Sequence, residues 1–349
     1  MLRRARTLIV ALLLLVALAV GASLLPVPYL VASPGVALNT LGEHEGEEVI
    51  RIEGRRSYDH EGGLAMVTVQ YAGGPGARMD LFTALGAWLS PTNAVLPEEA
   101  VFPPDRSLDE ITESQSMQMD DSQQAAVAAA LTELGIDYDT SAIVAGVNEG
   151  GPAEGRVEVG DVIAKVDGEP VSDKEEAVEL VRDREVGDEV ALTVERDGRT
   201  REVTVTSTES EEGEPLIGVM VGNDMDFPVE VDISVGDIGG PSAGMMFALG
   251  IMDRLSPEGL TGGHVIAGSG TITPEGEVGG VSGVQQKMVS AQRQGAEYFF
   301  VAAESCSQTL DSAATGEIEV VRIERLSEAV DALEAIRTGE GLQDLPRCE

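Results

Sequence analysis

Val229-Glu230-Val231-Asp232-Ile233-Ser234 alternates apolar and polar side chains as a strand does, and it runs into Ile238-Gly239-Gly240-Pro241-Ser242-Ala243-Gly244. A helix is predicted to open there, because Met245, Met246, Phe247, Ala248, Leu249, Ile251, Met252 and Leu255 form a strongly apolar segment. A serine at such an opening sits among backbone N–H groups that lack intrahelical acceptors, at the positive end of the helix dipole. That setting suits an oxyanion. The flanking glycines keep side chains out of the approach, and Pro241 fixes the turn that presents the hydroxyl. Read by itself, however, the turn is more simply an N-cap.

Two stretches further on change that reading: Ile266-Ala267-Gly268-Ser269-Gly270-Thr271-Ile272-Thr273-Pro274-Glu275-Gly276-Glu277-Val278, then Ser282-Gly283-Val284-Gln285-Gln286-Lys287. With them the segment resembles the Lon-type proteolytic domain. That family's pattern is a Pro-Ser-Ala-Gly turn, a strand holding Thr-Gly, a Gly-x-Val turn, and a Gly-Gly-x-x-x-Lys turn that opens a helix. The similarity is closest to the PDZ-containing, membrane-anchored Lon-like serine proteases of bacteria, which share the Gly-Gly-Pro-Ser-Ala-Gly form and the Leu260-Thr261-Gly262-Gly263 approach. The resemblance implies Ser242 as nucleophile and Lys287, 45 positions on, as its base. It also implies support from Ser269, Gly240 and Ala243. Two positions depart from the pattern: Ser269 stands where the family has threonine and keeps a hydroxyl for the lysine, and Ser282 replaces the first glycine of the Gly-Gly pair, which bears on how Lys287 is aimed.

These residue types are what the chemistry needs. A serine hydroxyl is too weak an acid to attack an amide unaided, and a lysine takes its proton only when neutral. Burial lowers a lysine's pKa by disfavouring the charged form. Lys287 precedes Met288, Val289 and Ala291 in a chain whose only other lysines are Lys165 and Lys174. Arginine does not deprotonate at useful pH and would not serve. A rival Ser-His-Asp arrangement has only His44, His60 and His264 to draw on, and His264 reads as a surface turn residue. No His-Glu-x-x-His, spaced cysteine pair or dense histidine cluster marks a metal site, and no Gly-x-x-x-x-Gly-Lys-Ser/Thr loop marks a nucleotide site. No cofactor is expected, and without an unfoldase the substrates are expected to be unfolded or membrane-tethered proteins.

Upstream, the acidic run Glu209-Ser210-Glu211-Glu212-Gly213-Glu214-Pro215 has the composition of a domain boundary. Before it lie short strand-like pieces and a helical stretch, Asp173 to Arg182. Gly151-Pro152-Ala153, then Val159-Gly160-Asp161-Val162-Ile163 and Val166-Asp167-Gly168-Glu169-Pro170-Val171, resemble a bacterial PDZ domain. The resemblance implies a groove, walled by that helix, that takes an extended chain end as an added strand. Leu134-Gly135-Ile136 is the candidate loop for a terminal carboxylate. A working scaffold with a decayed protease site is the alternative function. Nearer the start, Glu48 to Ile52 and Leu64 to Tyr71 alternate as strands, and residues 91–104 read as a Pro-rich loop. Asp120 or Asp121 is the expected cap of a helix ending near Gly135. Residues 64–72 and Asp121 to Ala126 faintly resemble the opening elements of Lon-type domains, which would make the PDZ an insertion.

Arg3, Arg4 and Arg6 precede an unbroken apolar run from Leu8 to Leu25, long enough to span a bilayer, with the basic end expected in the cytoplasm. Cleavage as a signal peptide is the competing reading. Outside the cytoplasm Cys306 and Cys348 could pair. The 61 acidic against 23 basic residues give a net charge of −38, which repels nucleic acid and anionic lipid surfaces. Salt adaptation would explain this acidity and would show as stability rising in molar salt.

The expected fold is an α/β (α+β) Lon-type proteolytic domain with a β-rich PDZ-like domain and an N-terminal transmembrane helix. Its parts are a cytoplasmic N-terminus (1–7), an anchor (8–25), an extracytoplasmic segment that begins the Lon-type domain (26–127), and the PDZ-like domain (128–208). An acidic linker (209–215), the Lon-type proteolytic domain (216–338) and a tail (339–349) follow. The expected function is that of an ATP-independent serine endopeptidase, single-pass in the cell membrane. A homo-oligomer, a ring of six, is what the Lon resemblance implies.

Overall fold

The computed structural model describes residues 2–24, 26–77, 79–210 and 213–348. Leu25 of the apolar run and Glu211 and Glu212 of the acidic run therefore lie outside the described residues. The chain divides into two compact units, one made of residues 1–136 with 229–349 and the other of residues 137–228.

The first unit opens with helix α1, Leu2–Leu24, whose window Arg3–Ala22 has a mean hydropathy of 2.4. Pro26–Val27 pairs with Met79–Asp80. Tyr29–Asn39 runs antiparallel to Gly63–Gly73, with Ala94–Pro97 on its other side, so the Pro-rich stretch holds a strand and not only a loop. Helix α2, Leu81–Trp88, is capped by Asp80, whose side chain accepts from the N–H of Phe82 and Thr83. Helix α3, Leu108–Glu133, begins well before Asp120. Ser107 accepts from Glu110 N–H while the Glu110 carboxylate accepts from Ser107 N–H, a complete capping box. Its first half is polar and exposed, so apolar periodicity reveals only the part from Met119 onward, where Ala126 to Leu131 are buried.

The second unit is an antiparallel sheet in the order Arg199–Thr206, Glu189–Arg196, Val162–Val166, Asp139–Val147, Val219–Asp226. Helix α4, Lys174–Arg182, capped by Asp173, packs on it over a core that includes Val144, Ile163, Leu192 and Val194. Asp161 is buried against Arg196, which donates through Nε (2.6 Å) and one terminal nitrogen (2.7 Å) to the two carboxylate oxygens. Those bonds hold the Asp161 carboxyl below its ordinary pKa, and the pairing offsets the cost of burying it.

Two expected boundaries shift. Residues 128–136 complete α3 and belong to the first unit, because the buried face of that helix packs on the helix that opens just after Ser242. The acidic run is not the linker: Thr208–Glu209 pairs with Pro215–Leu216 as a hairpin arm of the second unit, which then continues through its edge strand to Pro228.

The chain returns with Glu230–Ile233, paired to Ile50–Glu53. Helix α5, Gly244–Leu255, is buried from Gly244 to Arg254. Three parallel strands, Val265–Ser269, Tyr298–Ala302 and Glu319–Ile323, extend the first sheet from Gly63–Gly73. They are linked through α6 (Val284–Arg293) and α7 (Cys306–Thr309), and α8 (Leu326–Thr338) follows. Strands covered on both faces are continuously apolar, as in Phe299-Phe300-Val301-Ala302. The charges ending α5 are paired: Asp253 bonds His60 Nδ1 at 2.9 Å, and Arg254 bonds Asp59. Cys306 and Cys348 form a disulfide.

Candidate active site

Ser242 lies at the mouth of α5 because three neighbours hold its turn. Gly240 N–H donates to Gln115 O at 3.0 Å, Ser122 Oγ donates to Pro241 O at 3.1 Å, and Gly270 N–H donates to Ser242 O at 3.1 Å. Gln115 and Ser122 both sit on α3, so the first part of the chain braces a turn from the last part. Gly244 has to be glycine: a Cβ there would stand 2.7 Å from both Ile272 Cγ2 and Ser122 Oγ.

Lys287 reaches the same point from α6. Its Nζ lies 2.9 Å from Ser242 Oγ and 3.0 Å from Ser269 Oγ, and Ser269 in turn donates to Ser242 O at 3.0 Å. Ser269 is fully buried and Lys287 is 4% exposed. Among the described residues no carboxylate lies within ion-pair distance of its ammonium, so desolvation acts unopposed and lowers the pKa from 10.5 to about 8. His60 and His264 are bonded elsewhere, to Asp253 and Glu297. Among the described residues no cluster of three His, Cys, Asp or Glu side chains could hold a metal ion.

Of the other candidates, Ala243 stands beside Ser242 with an N–H that no described residue accepts, as does the Ser242 N–H itself. Gly240 is different, because its N–H is already spent on Gln115 and it serves as a turn residue at φ +93°. Leu134, Gly135 and Ile136 do not form a carboxylate loop. Their N–H groups close the end of α3 on the carbonyls of Ala130, Thr132 and Leu131, with Gly135 at φ +65°, in the first unit and not in the PDZ-like one. Ser282 is absent from the residues with positive φ, so a side chain there costs nothing in backbone strain. The next residue carries the left-handed turn, Gly283 at φ +71°, and a Cβ on it would stand 2.6 Å from Val69 Cγ2.

The aim of Lys287 rests on a clamp that sequence reasoning missed. Residues 304–312 reach across to the turn that opens α6. Gly280 N–H donates to Glu304 (2.8 Å), Val281 N–H donates to Ser305 Oγ (2.8 Å), and Gln308 donates to Val281 O (3.1 Å) and accepts from Val284 N–H (3.4 Å). Cys306 in the middle of this segment is tied to Cys348 by the disulfide. No local pattern announces these contacts, since each is a polar side chain on a short helical turn, 303–309. Gln308→Ala is expected to lower turnover about ten- to a hundredfold through misaiming of Lys287, while the midpoint of thermal unfolding falls only a few degrees. Steady-state kinetics beside a melting curve checks this, and a Tm loss without a kcat loss would make the clamp merely structural.

A cavity of about 540 Å³ opens beside Ser242 and Lys287, walled by Val36, Thr68, Tyr71 and Met119 among others. Residues 223–335 match the family model for the Lon protease (S16) C-terminal proteolytic domain, and residues 109–206 match the PDZ domain model. The chain thus joins a PDZ domain to a Lon-type C-terminal proteolytic domain. The PDZ match begins inside α3, whereas the compact second unit starts at 137; the packing of α3 in the first unit makes 137 the structural boundary. Over 85 residues the chain is 38% identical to a probable periplasmic serine endoprotease, DegP-like, of Ectopseudomonas mendocina, covering 24% of this chain and 18% of that protein. Over 82 residues it is 29% identical to a putative zinc metalloprotease of Fusobacterium nucleatum, covering 24% of each. The chain therefore spans less than a quarter of the length of these curated relatives. Among solved structures, the PDZ domain of an SdrC-like protein from Listeria innocua is 27% identical, with 23% of this chain and 92% of that chain covered and a TM-score of 0.22.

Proposed function

We propose that the chain is an ATP-independent serine endopeptidase with a Ser242-Lys287 dyad, held in the cell membrane by α1 with Arg3, Arg4 and Arg6 in the cytoplasm and the rest outside. The observation that carries this reading is the 2.9 Å approach of an unpaired, buried Lys287 Nζ to Ser242 Oγ. In the first step Ser242 Oγ bonds to the scissile carbonyl carbon and its proton passes to neutral Lys287. The carbonyl oxygen takes the negative charge and is held by the N–H groups of Ser242 and Ala243 at the positive end of α5. Lys287 then returns the proton to the amide nitrogen as the C–N bond breaks, leaving an acyl-enzyme. Water attacks that ester with Lys287 as base again, and Ser242 regains its proton. Ser269 accepts a hydrogen bond from Nζ while donating to Ser242 O, which keeps the amine's lone pair turned to the nucleophile.

The PDZ unit captures an extended chain end. Its strand Val219–Asp226 is the edge of the sheet, α4 packs beside it, and Gly218 at φ +73° leads into it from Leu216-Ile217. That edge, not Leu134 to Ile136, is where an added strand finds unpaired backbone groups.

The test is cleavage of an unfolded model protein by the full chain in detergent without nucleotide, beside the same chain carrying Ser242→Ala. Cleavage by the unaltered chain only, and no faster with ATP, supports the reading. Equal cleavage by both, or by neither, sinks it.

A further inference from the structure

Helix α2 has a face that stays exposed among the described residues. Ala84 and Ala87 turn inward onto Val31 and Met79. Leu81, Phe82, Leu85, Trp88 and Leu89 form the opposite stripe, at the i, i+1, i+4, i+7, i+8 spacing of one helix face. They are 43%, 49%, 46%, 70% and 70% exposed. Large apolar side chains gathered on one exposed face mark an interaction surface. The stretch 81–97 carries no Asp, Glu, Lys or Arg, in a chain where 24% of residues are charged.

What covers this face follows from where α2 begins. Pro26, just past α1, pairs with Asp80, which caps α2, so α2 starts beside the end of the membrane-length helix and packs against it. A span of 23 residues is about 34 Å long and crosses the hydrocarbon core. Its outer end lies at headgroup level, and α2 starts at the same level. An uncharged helix with Trp, Phe and Leu on one side suits that depth.

We propose that α2 docks in the outer headgroup layer of the bilayer, burying Leu81, Phe82, Leu85, Trp88 and Leu89 among lipids at the base of the anchor. This rests on the reading that α1 spans the membrane. Two attachments then hold the first unit, one through the bilayer and one lying on it, which fixes its orientation to the membrane surface more firmly than a single tether does.

Trp88 is the chain's only tryptophan, so its fluorescence reports α2 alone. The full chain would be reconstituted in phosphatidylcholine vesicles whose acyl chains carry bromine either near the headgroup or near the bilayer centre. Flotation after alkaline extraction tests insertion of α1 independently. The expected result is a chain that floats and loses most of its Trp88 emission to the shallow bromines, less to the deep ones, and little to acrylamide in the water. A floating chain quenched by acrylamide and not by bromolipid overturns the docking and leaves the anchor standing. A floating chain quenched by neither places protein over α2, such as a second copy, and also overturns it. A chain that does not float loses both the anchor and the docking.

Discussion

Ser242→Ala and Lys287→Arg should each lower kcat on an unfolded protein by at least about 10⁴-fold, with little change in KM. The first removes the hydroxyl that the proposed mechanism uses to form the acyl bond. The second keeps a cation of similar reach but one that stays protonated at any working pH, so it cannot take the Ser242 proton. The double variant should be no worse than either single one, because the two groups act as a unit and the loss of one already idles the other. Additive losses would mean that Lys287 contributes through packing and not as the base.

Activity should rise with pH through about 8, the value to which burial lowers Lys287. Below that midpoint the neutral amine that the proposed dyad requires falls away about tenfold per pH unit, so kcat/KM should follow with unit slope. The same shift makes stability depend on pH. Between about 8 and 10.5 the unfolded chain holds a proton on this lysine that the folded chain lacks, so the contribution of Lys287 to stability improves as pH rises through that window. Below it both states are protonated and the full cost of burying the ammonium remains, about 3 kcal/mol. Lys287→Met should therefore be inactive yet more stable at neutral pH, melting several degrees higher, with the gain vanishing in strong alkali. Melting curves against pH decide this. A variant less stable than the parent at neutral pH would show that the bonds from Nζ to Ser242 and Ser269 outweigh the desolvation.

Much of the site was readable without coordinates because it is encoded in short segments whose chemistry is local. The Gly-Gly-Pro-Ser-Ala-Gly turn, the apolar helix after it, and a lysine ahead of Met288 and Val289 in a chain that otherwise avoids lysine all announce themselves. The start of α3 was also readable from Ser107 and Glu110, yet residues 108–118, mostly polar with only Leu108, Ile111 and Met117 apolar, gave no clear apolar period and masked it. Leu134-Gly135-Ile136 misled because a glycine after a leucine marks a helix end as readily as a peptide-binding loop. Only the hydrogen bonds of the cap tell the two apart.

The identity of the chemical groups, the membrane-length segment and the alternation of strands follow from residue types and their spacing, which need no partner to be defined. Tertiary structure decided the rest. It joined residues 1–136 to 229–349 across a 92-residue unit. It set Gln115 and Ser122 behind the Ser242 turn and Gln308 behind the turn that leads to Lys287. It also left one face of α2 bare. Contacts between residues far apart in the chain are chosen by which surfaces pack together, and packing belongs to the whole fold, not to any window of it.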